Sequence, residues 1–567
     1  MKDVLYEGFI GALCQVLEYY RQVSTLTKYI FITGGVLSGI GKGLVTCSVG
    51  KMLQVRGFND TAIKCDPYLN VDAGTMNPYI HGEVFVLDDG YEADMDLGAY
   101  ERFLGVKLSG LNNVTSGQLY QHIIRREREG GFLGRCVQII PHITDEVKRR
   151  IRLVAEKSRA DVVLVECGGT VGDIESLPFL EAFRQMRQEE KRGDTILIHV
   201  TLVPVLEAVG EPKTKPTQHS VKELRAIGLQ PDIIVARCEK GELPDSAKKK
   251  IALYCSVEER AVFTSVDVET LYELPLILEG QGMGDVVSEY LGLNKPKADW
   301  TDWKKMVARY KEPKDIVRIA MCGKYAELRD CYVSVNEALR HAAAASGCQI
   351  KIDWIETEEF EEHPEKVEVL EGFDGVIVPG GFGKRGALGK VRTIEYCRTH
   401  DKPFLGICYG LQLSLVEISR NVLGLKDADS TECEPKTSNP VIDLLPEQRE
   451  VNEMGGTMRL GSHHIHIKPG TLADRLYGSK LIQERHRHRW EVNPAYWDRL
   501  EKAGVVFSAY STDDRRKEII ELPSNYFFMG TQFHPEFMSR PWAPSPPYFG
   551  LVKASYDKKR GKAKPKF

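Results

Sequence analysis

The stretch YIFITGGVLSGIGKGLVTCSVGKMLQVRG, residues 29–57, decides the fold of the amino-terminal half. Its opening YIFITGG reads as a buried strand, and LVTCSVGKMLQVRG as the helix that follows. Between them GGVLSGIGKG, residues 34–43, makes a glycine-rich strand-to-helix turn. Backbone N–H groups in such a turn, the helix dipole and the charge of Lys42 together suit a phosphate. Glycine turns also serve merely to pack a strand on a helix; a lysine placed just after a strand favours a nucleotide. The pattern G-x-x-x-x-G-K-[ST] is nevertheless not met. Valine stands at 36 where it wants glycine, and Gly43 where it wants a metal-binding hydroxyl. Magnesium here would need other oxygen ligands.

Working outward, TAIKCD (61–66), DVVLVECGG (161–169), TILIHVTLVP (195–204) and PDIIVARC (231–238) read as further buried strands. Strands alternating with helical stretches indicate a parallel α/β sheet. Near KPKADWTDWKKMVARYKEPKD (295–315) this rhythm gives way to charge, Trp and Pro, as in a linker. A second series follows: VRIAMCGKY from Val317, then KIDWI, GVIVPGG, PFLGICYG and FFMGTQFHPE. The expected fold is α/β throughout, a P-loop-like parallel-sheet domain followed by a second α/β domain. Its divisions are an amino-terminal extension at 1–26, a first domain at 27–294, a linker at 295–315, a second domain at 316–555 and a basic tail at 556–567. In the extension Val4, Phe9, Leu13, Leu17 and Tyr20 share one face of a short amphipathic helix. KKRGKAKPKF, from Lys558, reads as a solvated disordered tail.

Composition narrows the classes. The 567 residues are 42% hydrophobic and 28% charged, as in a soluble globular protein. A net charge of -4 gives no reason to expect nucleic acid as a partner. No apolar run approaches the roughly 18 residues needed to span a membrane. Thirteen scattered cysteines without a C-x-x-C pair point to reduced thiols and a cytoplasmic location.

Candidate magnesium ligands are Asp94, Asp96, Glu166 and Asp173. Glu166 ends a buried strand, where α/β sheets place ligands and where a carboxylate is costly unless paired. In GEPKTKPTQHSVKEL (210–224), Lys213, Thr214, Lys215, Thr217 and Gln218 cluster after a strand, with Pro212 and Pro216 stiffening the segment. It suits a second polyphosphate, and equally a solvated surface turn. In the second domain Gly406-x-Cys408-x-Gly410 lies between a strand and a helix, the layout of a nucleophile elbow. The helix end is expected to favour the thiolate. His534 and Glu536 follow another apolar strand and would complete a Cys-His-Glu triad. Pro379-Gly380-Gly381-Phe382-Gly383 offers backbone N–H groups for an oxyanion hole.

PGGFG, GICYGLQ and HPE resemble a class I glutamine amidotransferase domain. GGVLSGIGKG, CDPYLNVDAGTMNP, HGEVFVLDDG, GGTVGDIESLPFLEA and KTKPTQHSVKEL resemble the synthase domain of the CTP synthase family, and the likeness spans about residues 28 to 555. The rival class, another two-domain ATP-dependent amidotransferase such as a cobyrinic acid amidating synthetase, does not account for KTKPTQ. A filament scaffold without activity does not account for the intact Lys42, Asp96, Glu166, Cys408, His534 and Glu536.

The resemblance implies that Cys408 attacks glutamine, with His534 and Glu536 assisting, and that ammonia aminates UTP phosphorylated by ATP. It places Ser38 at the pyrimidine nucleotide, and Gly39, Ile40, Gly41, Lys42, Gly43 and Leu44 at ATP phosphates. Lys64 would be catalytic, near the reacting phosphoryl group; Asp96 and Glu166 would hold Mg2+, and Asp267 and Val268 would flank adenine. Asp173, Ile174 and Glu175 match contacts to inhibiting CTP, while Lys213, Thr214, Lys215, Pro216, Thr217, Gln218 and Lys250 match contacts to the UTP triphosphate. Glutamine would meet Gly381, Tyr409, Gly410, Leu411, Gln412, Glu432 and Arg489. The resemblance also implies GTP activation, with Arg385 and GGTMRLG including Arg459 as contributors, and a homotetramer of a kind that sometimes forms filaments. Two departures stand out. GYEADMDLG replaces the usual GAETDLDLG, and Tyr409 replaces a leucine, with bulk expected to alter the glutamine pocket.

Overall fold

The computed structural model describes residues 27–205, 211–239, 241–294, 297–311, 315–324, 329–444, 458–565 and 567. The amphipathic helix expected within 1–26 and the first residues of GGTMRLG lie outside these. The chain divides into two compact units. One holds the described residues to Asp72 together with Ala99–Val307; the other holds Ala73–Gly98 together with Ala308–Phe567.

The first unit is built on a seven-stranded, wholly parallel sheet. From edge to edge its strands are Asn113–Thr115, Asp60–Asp66, Val162–Cys167, Lys28–Gly34, Thr195–Leu202, Ile233–Cys238 and Val262–Val266. The strand entering the glycine turn is therefore central, flanked by Val162–Cys167 and Thr195–Leu202. Both neighbours read as continuous apolar runs because helices cover both faces of such a sheet. Ligands of such sheets gather beyond the carboxyl ends of the strands, where Glu166 and the turn lie.

In the second unit Gln349–Glu356, Ile316–Gly323, Gly375–Val378, Phe404–Ile407 and Phe528–Thr531 form a parallel sheet in that spatial order. Antiparallel strands Lys517–Glu521, Val506–Ser511, Arg459–Ile467 and Leu481–His488 extend it to nine. Helices Val333–Ser346 and Pro546–Lys559 bury one face, with Val335, Leu339, Leu551 and Val552 in that core. Helices Ala387–Thr399 and Tyr409–Asn421 bury the other, with Ile394, Leu411 and Leu415. The segment 73–98, which the sequence reads as part of the first domain, packs in this unit. Arg485 Nε donates to Asp88 Oδ1 at 2.6 Å, and the Phe85 and Phe537 rings meet edge-on at 5.0 Å.

Two expectations change. Residues 301–311, read as linker, form a helix that buries Trp303, Met306 and Val307. The basic tail is not solvated throughout: Lys562 pairs with Asp557 at 3.1 Å, Lys564 Nζ donates to Asn525 O, and Phe567 packs against the Phe527 ring. Its charges meet carbonyls and a carboxylate exposed by the neighbouring helix and loop, so the chain folds back onto the unit.

Candidate active sites

In the first unit the turn after Gly34 holds three positions in left-handed backbone geometry: Val36 at φ 81°, Gly39 at φ 74° and Gly41 at φ 89°. The position where the nucleotide pattern wants glycine thus keeps a glycine-type conformation with a β-branched residue in it, a strain of about 1–3 kcal/mol. Val36 is half exposed, so packing does little to hold it. Val36→Gly is expected to stabilise the folded chain by up to about 1 kcal/mol net of its unfolded-state entropy, read as a raised melting temperature.

Lys42 begins the helix Lys42–Gln54, and its ammonium donates to Gly169 O at 2.7 Å. A Cβ on Gly34 would lie 2.6 Å from Lys42 Cδ, so only glycine lets the lysine fold back over the turn. Glu166 is fully buried and fully engaged. Lys64 Nζ donates to one oxygen at 2.8 Å, and Thr46 Oγ1, at 3.0 Å, and the Tyr100 hydroxyl donate to the other. This answers how a carboxylate is tolerated there: an ion pair and two hydroxyls satisfy it. Thr46, one helical turn beyond Lys42, was legible as a hydroxyl on the same face; Tyr100 was not. Asp96 falls in the 73–98 stretch that belongs to the second unit, so the structure does not place it within the first unit; it lies in the first turn of helix Met95–Leu104, with its N–H donating to Asp94 Oδ1 at 2.9 Å.

Ser38 and Gly39 are exposed, Ile40 and Gly43 are buried and Leu44 is half-buried. Asp173 accepts from the Thr170 N–H at 2.9 Å, beside exposed Ile174 and Glu175. Helix Lys215–Ala226 opens with Pro216 in its first turn. Thr214 and Thr217 are buried: Gln218 Nε2 donates to Thr214 Oγ1 at 3.1 Å, and Thr217 Oγ1 to Leu202 O at 3.4 Å. Their hydroxyls are thus spent internally, while Lys213 reaches Glu211 at 2.9 Å and Lys250 is exposed on Asp245–Cys255. Arg237, which sequence reasoning passed over, pairs with exposed Asp267, and a Cβ on Gly41 would lie 3.8 Å from its Nη1. It lies beside the turn and is paired with the residue next to Val268.

In the second unit Cys408 caps helix Tyr409–Asn421 at φ 51°, ψ -97°, a strained backbone for a non-glycine residue. The flanking glycines make this possible: a Cβ on Gly406 would lie 2.7 Å from the Gly410 carbonyl carbon, and one on Gly410 2.4 Å from Val378 O. His534 Nδ1 shares a 2.7 Å hydrogen bond with Glu536 Oε1, and His534 is also hydrogen-bonded to Cys408. Burial opposes the imidazolium, but the Glu536 carboxylate and these hydrogen bonds outweigh it and push His534 up to about 10. A Cβ on Gly380 would lie 2.8 Å from His534 Cε1, so PGGFG closes directly over the triad.

A cavity of about 200 Å³ joins Cys408, His534 and Glu536 to Gly381, Phe382 and Arg487. Thr75, Met76, Glu83 and Val84 of the 73–98 segment line it too, and Arg487 Nε is held by Glu92 Oε1 at 2.7 Å. None of these was singled out by sequence, because nothing local in HGEVFVLDDG announces a partner more than three hundred residues away. Glu432 accepts from the Gly383 N–H at 2.8 Å; burial raises its pKa above the usual carboxylate range, against that bond and nearby Lys324 and Arg489. Gln412 Nε2 donates to Trp490 O at 3.0 Å, and Leu411 is core.

The Tyr409 ring turns away from the cavity. It is buried, its hydroxyl donates to Gly383 O at 2.9 Å and meets Cys433 Sγ at 2.9 Å, and Lys390 Nζ lies 5.1 Å from the ring centroid. Its bulk is absorbed by the core, and the side chain does not line the Cys408 cavity. Tyr409→Phe should cost about 0.5–1.5 kcal/mol, from the lost hydrogen bond to the part-buried Gly383 carbonyl. Thermal unfolding checks it.

A thiol on a strand-to-helix elbow, with imidazole and carboxylate beside it under a glycine loop, defines a class I glutamine amidotransferase unit, here in one chain with a parallel-sheet unit that carries a glycine-rich turn. The glutamine amidotransferase class-I model matches residues 327–554, and the CTP synthase N-terminus model residues 28–293. The chain is 57% identical to the CTP synthase of Pyrococcus abyssi over 538 residues, 95% of this chain and 99% of that protein. To the CTP synthase of Archaeoglobus fulgidus it is 54% identical over 533 residues, 94% of this chain and 99% of that one. A solved glutaminase domain of Trypanosoma brucei CTPS, with bound acivicin, is 38% identical with a TM-score of 0.41, covering 42% of this chain and 94% of that one. The chain belongs to the CTP synthase family, and is a ligase with a glutamine amidotransferase domain. Among the described residues no helix is long and apolar enough to cross a membrane.

Proposed function

We propose that this chain aminates UTP to CTP, using ATP and ammonia released from glutamine, by the division of labour its two units suggest. The observation that carries the reading is the Cys408–His534–Glu536 chain beside a strained elbow, lining a cavity. Cys408 Sγ attacks the glutamine carboxamide, the oxyanion is met by N–H groups of the Gly380–Gly381 loop, and His534 gives a proton to departing ammonia. Water then cleaves the glutamyl thioester to glutamate. Gly381, Tyr409 to Gln412 through their backbone, Glu432 and Arg489 hold glutamine.

Ammonia is mostly protonated at neutral pH, so its nucleophilicity survives only in sheltered transfer to the first unit. There the UTP 4-oxygen takes the ATP γ-phosphoryl group, and ammonia displaces phosphate from carbon 4. The step is needed because a carbonyl oxygen leaves poorly and phosphate leaves well. Gly39 to Leu44 hold the ATP phosphates, Lys64 faces the transferred group, and Asp267 and Val268 flank adenine. Ser38, Lys213 to Gln218 and Lys250 hold UTP, and Asp173 to Glu175 meet CTP as inhibitor. Carboxylate oxygens of Asp96 and Glu166 suit Mg2+, which would neutralise phosphate charge when bound; Glu166 already carries the Lys64 ammonium against it. Arg385, exposed and 2.8 Å from Glu358, is the better GTP contact, since Arg459 is committed to buried Glu518 at 2.7 Å. A cytoplasmic homotetramer is the assembly the family implies.

Purified chain supplied with UTP, ATP, magnesium and either glutamine or ammonium should form CTP, followed by ultraviolet absorbance. No CTP from either nitrogen source would overturn the reading.

A further inference from the structure

His199 sits in the middle of strand Thr195–Leu202 with no exposed surface, and no step above uses it. Both of its ring nitrogens are engaged. Nδ1 shares a 3.0 Å hydrogen bond with Thr33 Oγ1, and Nε2 a 2.8 Å hydrogen bond with Ser220 Oγ. A neutral imidazole has one donor and one acceptor nitrogen, and each hydroxyl can take either part, so the chain of three is complete without a charge. Burial, with Lys42 nearby, lowers the imidazole to about 3, which keeps it neutral.

The two ends of this chain belong to different phosphate elements. Thr33 is the register partner of His199 on strand Lys28–Gly34, at the mouth of the glycine turn. Ser220 lies in helix Lys215–Ala226, whose first turn carries Lys215, Pro216 and Gln218. A second rung runs parallel, Thr201 Oγ1 donating to Thr217 Oγ1 at 3.4 Å. Residues 199 and 201 share one face of the strand, and 217 and 220 one face of the helix, so the rungs fix both spacing and rotation of the helix. Nothing fits between turn and helix: a Cβ on Gly35 would lie 1.5 Å from Ser220 Oγ and 3.0 Å from His199 Nε2. The glycine is there because the helix touches the backbone of the turn.

We propose that His199 is a positioning residue that couples the two nucleotide sites, locking the ATP-phosphate turn to the UTP-phosphate helix through Thr33 and Ser220. Binding that settles the turn settles the helix, so each nucleotide favours the other. This rests on the assignment of ATP to residues 39–44 and UTP to residues 213–218. A buried histidine that only filled space would contribute to stability and leave that coupling alone.

The test is the affinity of the full chain for UTP, with magnesium, in the presence and absence of a non-hydrolysable ATP analogue. In the unaltered protein the analogue should tighten UTP binding at least about fivefold, the lower end of ordinary coupling. In His199→Phe, which fills the volume without hydrogen bonds, that factor should fall to near one, and KM for both nucleotides should rise. His199→Gln, with one donor and one acceptor, should recover part of it. Should His199→Phe fail to fold, Ser220→Ala, which deletes one hydroxyl, should by itself reduce the factor at least twofold. An unchanged factor in a folded His199→Phe, or in Ser220→Ala, overturns the proposal. So does absence of coupling in the unaltered protein when CTP still forms. Absence of CTP formation from either nitrogen source would instead remove the functional reading beneath it.

Discussion

Cys408→Ala is expected to abolish CTP formation from glutamine and to preserve its formation from ammonium. The His534–Glu536 pair is arranged to serve the thiol, with Glu536 2.7 Å from Nδ1 and Cys408 in hydrogen-bond contact with His534. Taking away the nucleophile of such a set typically costs about 10⁴-fold or more in rate, because the remaining members act as a unit. Alanine fits the left-handed elbow no worse than cysteine, since the strain at φ 51° belongs to any side chain with a Cβ. The core around Leu411 and Ile407 should therefore stand, and unfolding should shift little. Following CTP absorbance with glutamine and then with ammonium separates the two halves. If the variant is folded and loses both reactions together, the two-site picture is wrong.

The contrast between sites shows what could be read in advance. Cys408 with its glycines, His534 and Glu536 lie in short motifs beside strands, and local backbone geometry is what those motifs encode, so the triad was legible. The parallel sheets were legible for a related reason: strands buried on both faces leave unbroken apolar runs such as VVLVEC (162–167). The antiparallel strands Arg459–Ile467 and Leu481–His488 were not, because RLGSHHIHI and LIQERHRH are rich in charge and histidine and bury Arg485 and His486 through long-range partners. Arg485 is stabilised by Asp88 and the Val86 carbonyl, about four hundred residues earlier, which no window of sequence contains. Thr217 shows the converse limit. The segment KTKPTQ reads as polar and outward, yet helical spacing turns that hydroxyl toward Leu202. Composition marks the segment as polar and basic; only the fold tells which of its polar atoms are turned inward.

Lys42→Ala should damage CTP formation without regard to nitrogen source. The ammonium is buried at the start of its helix, anchored on Gly169 O, and lies against the glycine turn closely enough that Gly34 can carry no side chain. A preorganised cation beside the glycine turn can compensate developing charge on a transferred phosphoryl group. Removing such a preorganised charge costs about 10²–10³-fold in kcat. Lys42→Arg should not restore it, since the planar fork is wider than the ammonium and the room over Gly34 is already filled. CTP formation from ammonium and from glutamine should fall by the same factor, because phosphorylation of UTP precedes both. A Lys42→Ala chain that kept either reaction within tenfold of the unaltered protein would mean that the glycine turn packs strand on helix and binds no reacting phosphate.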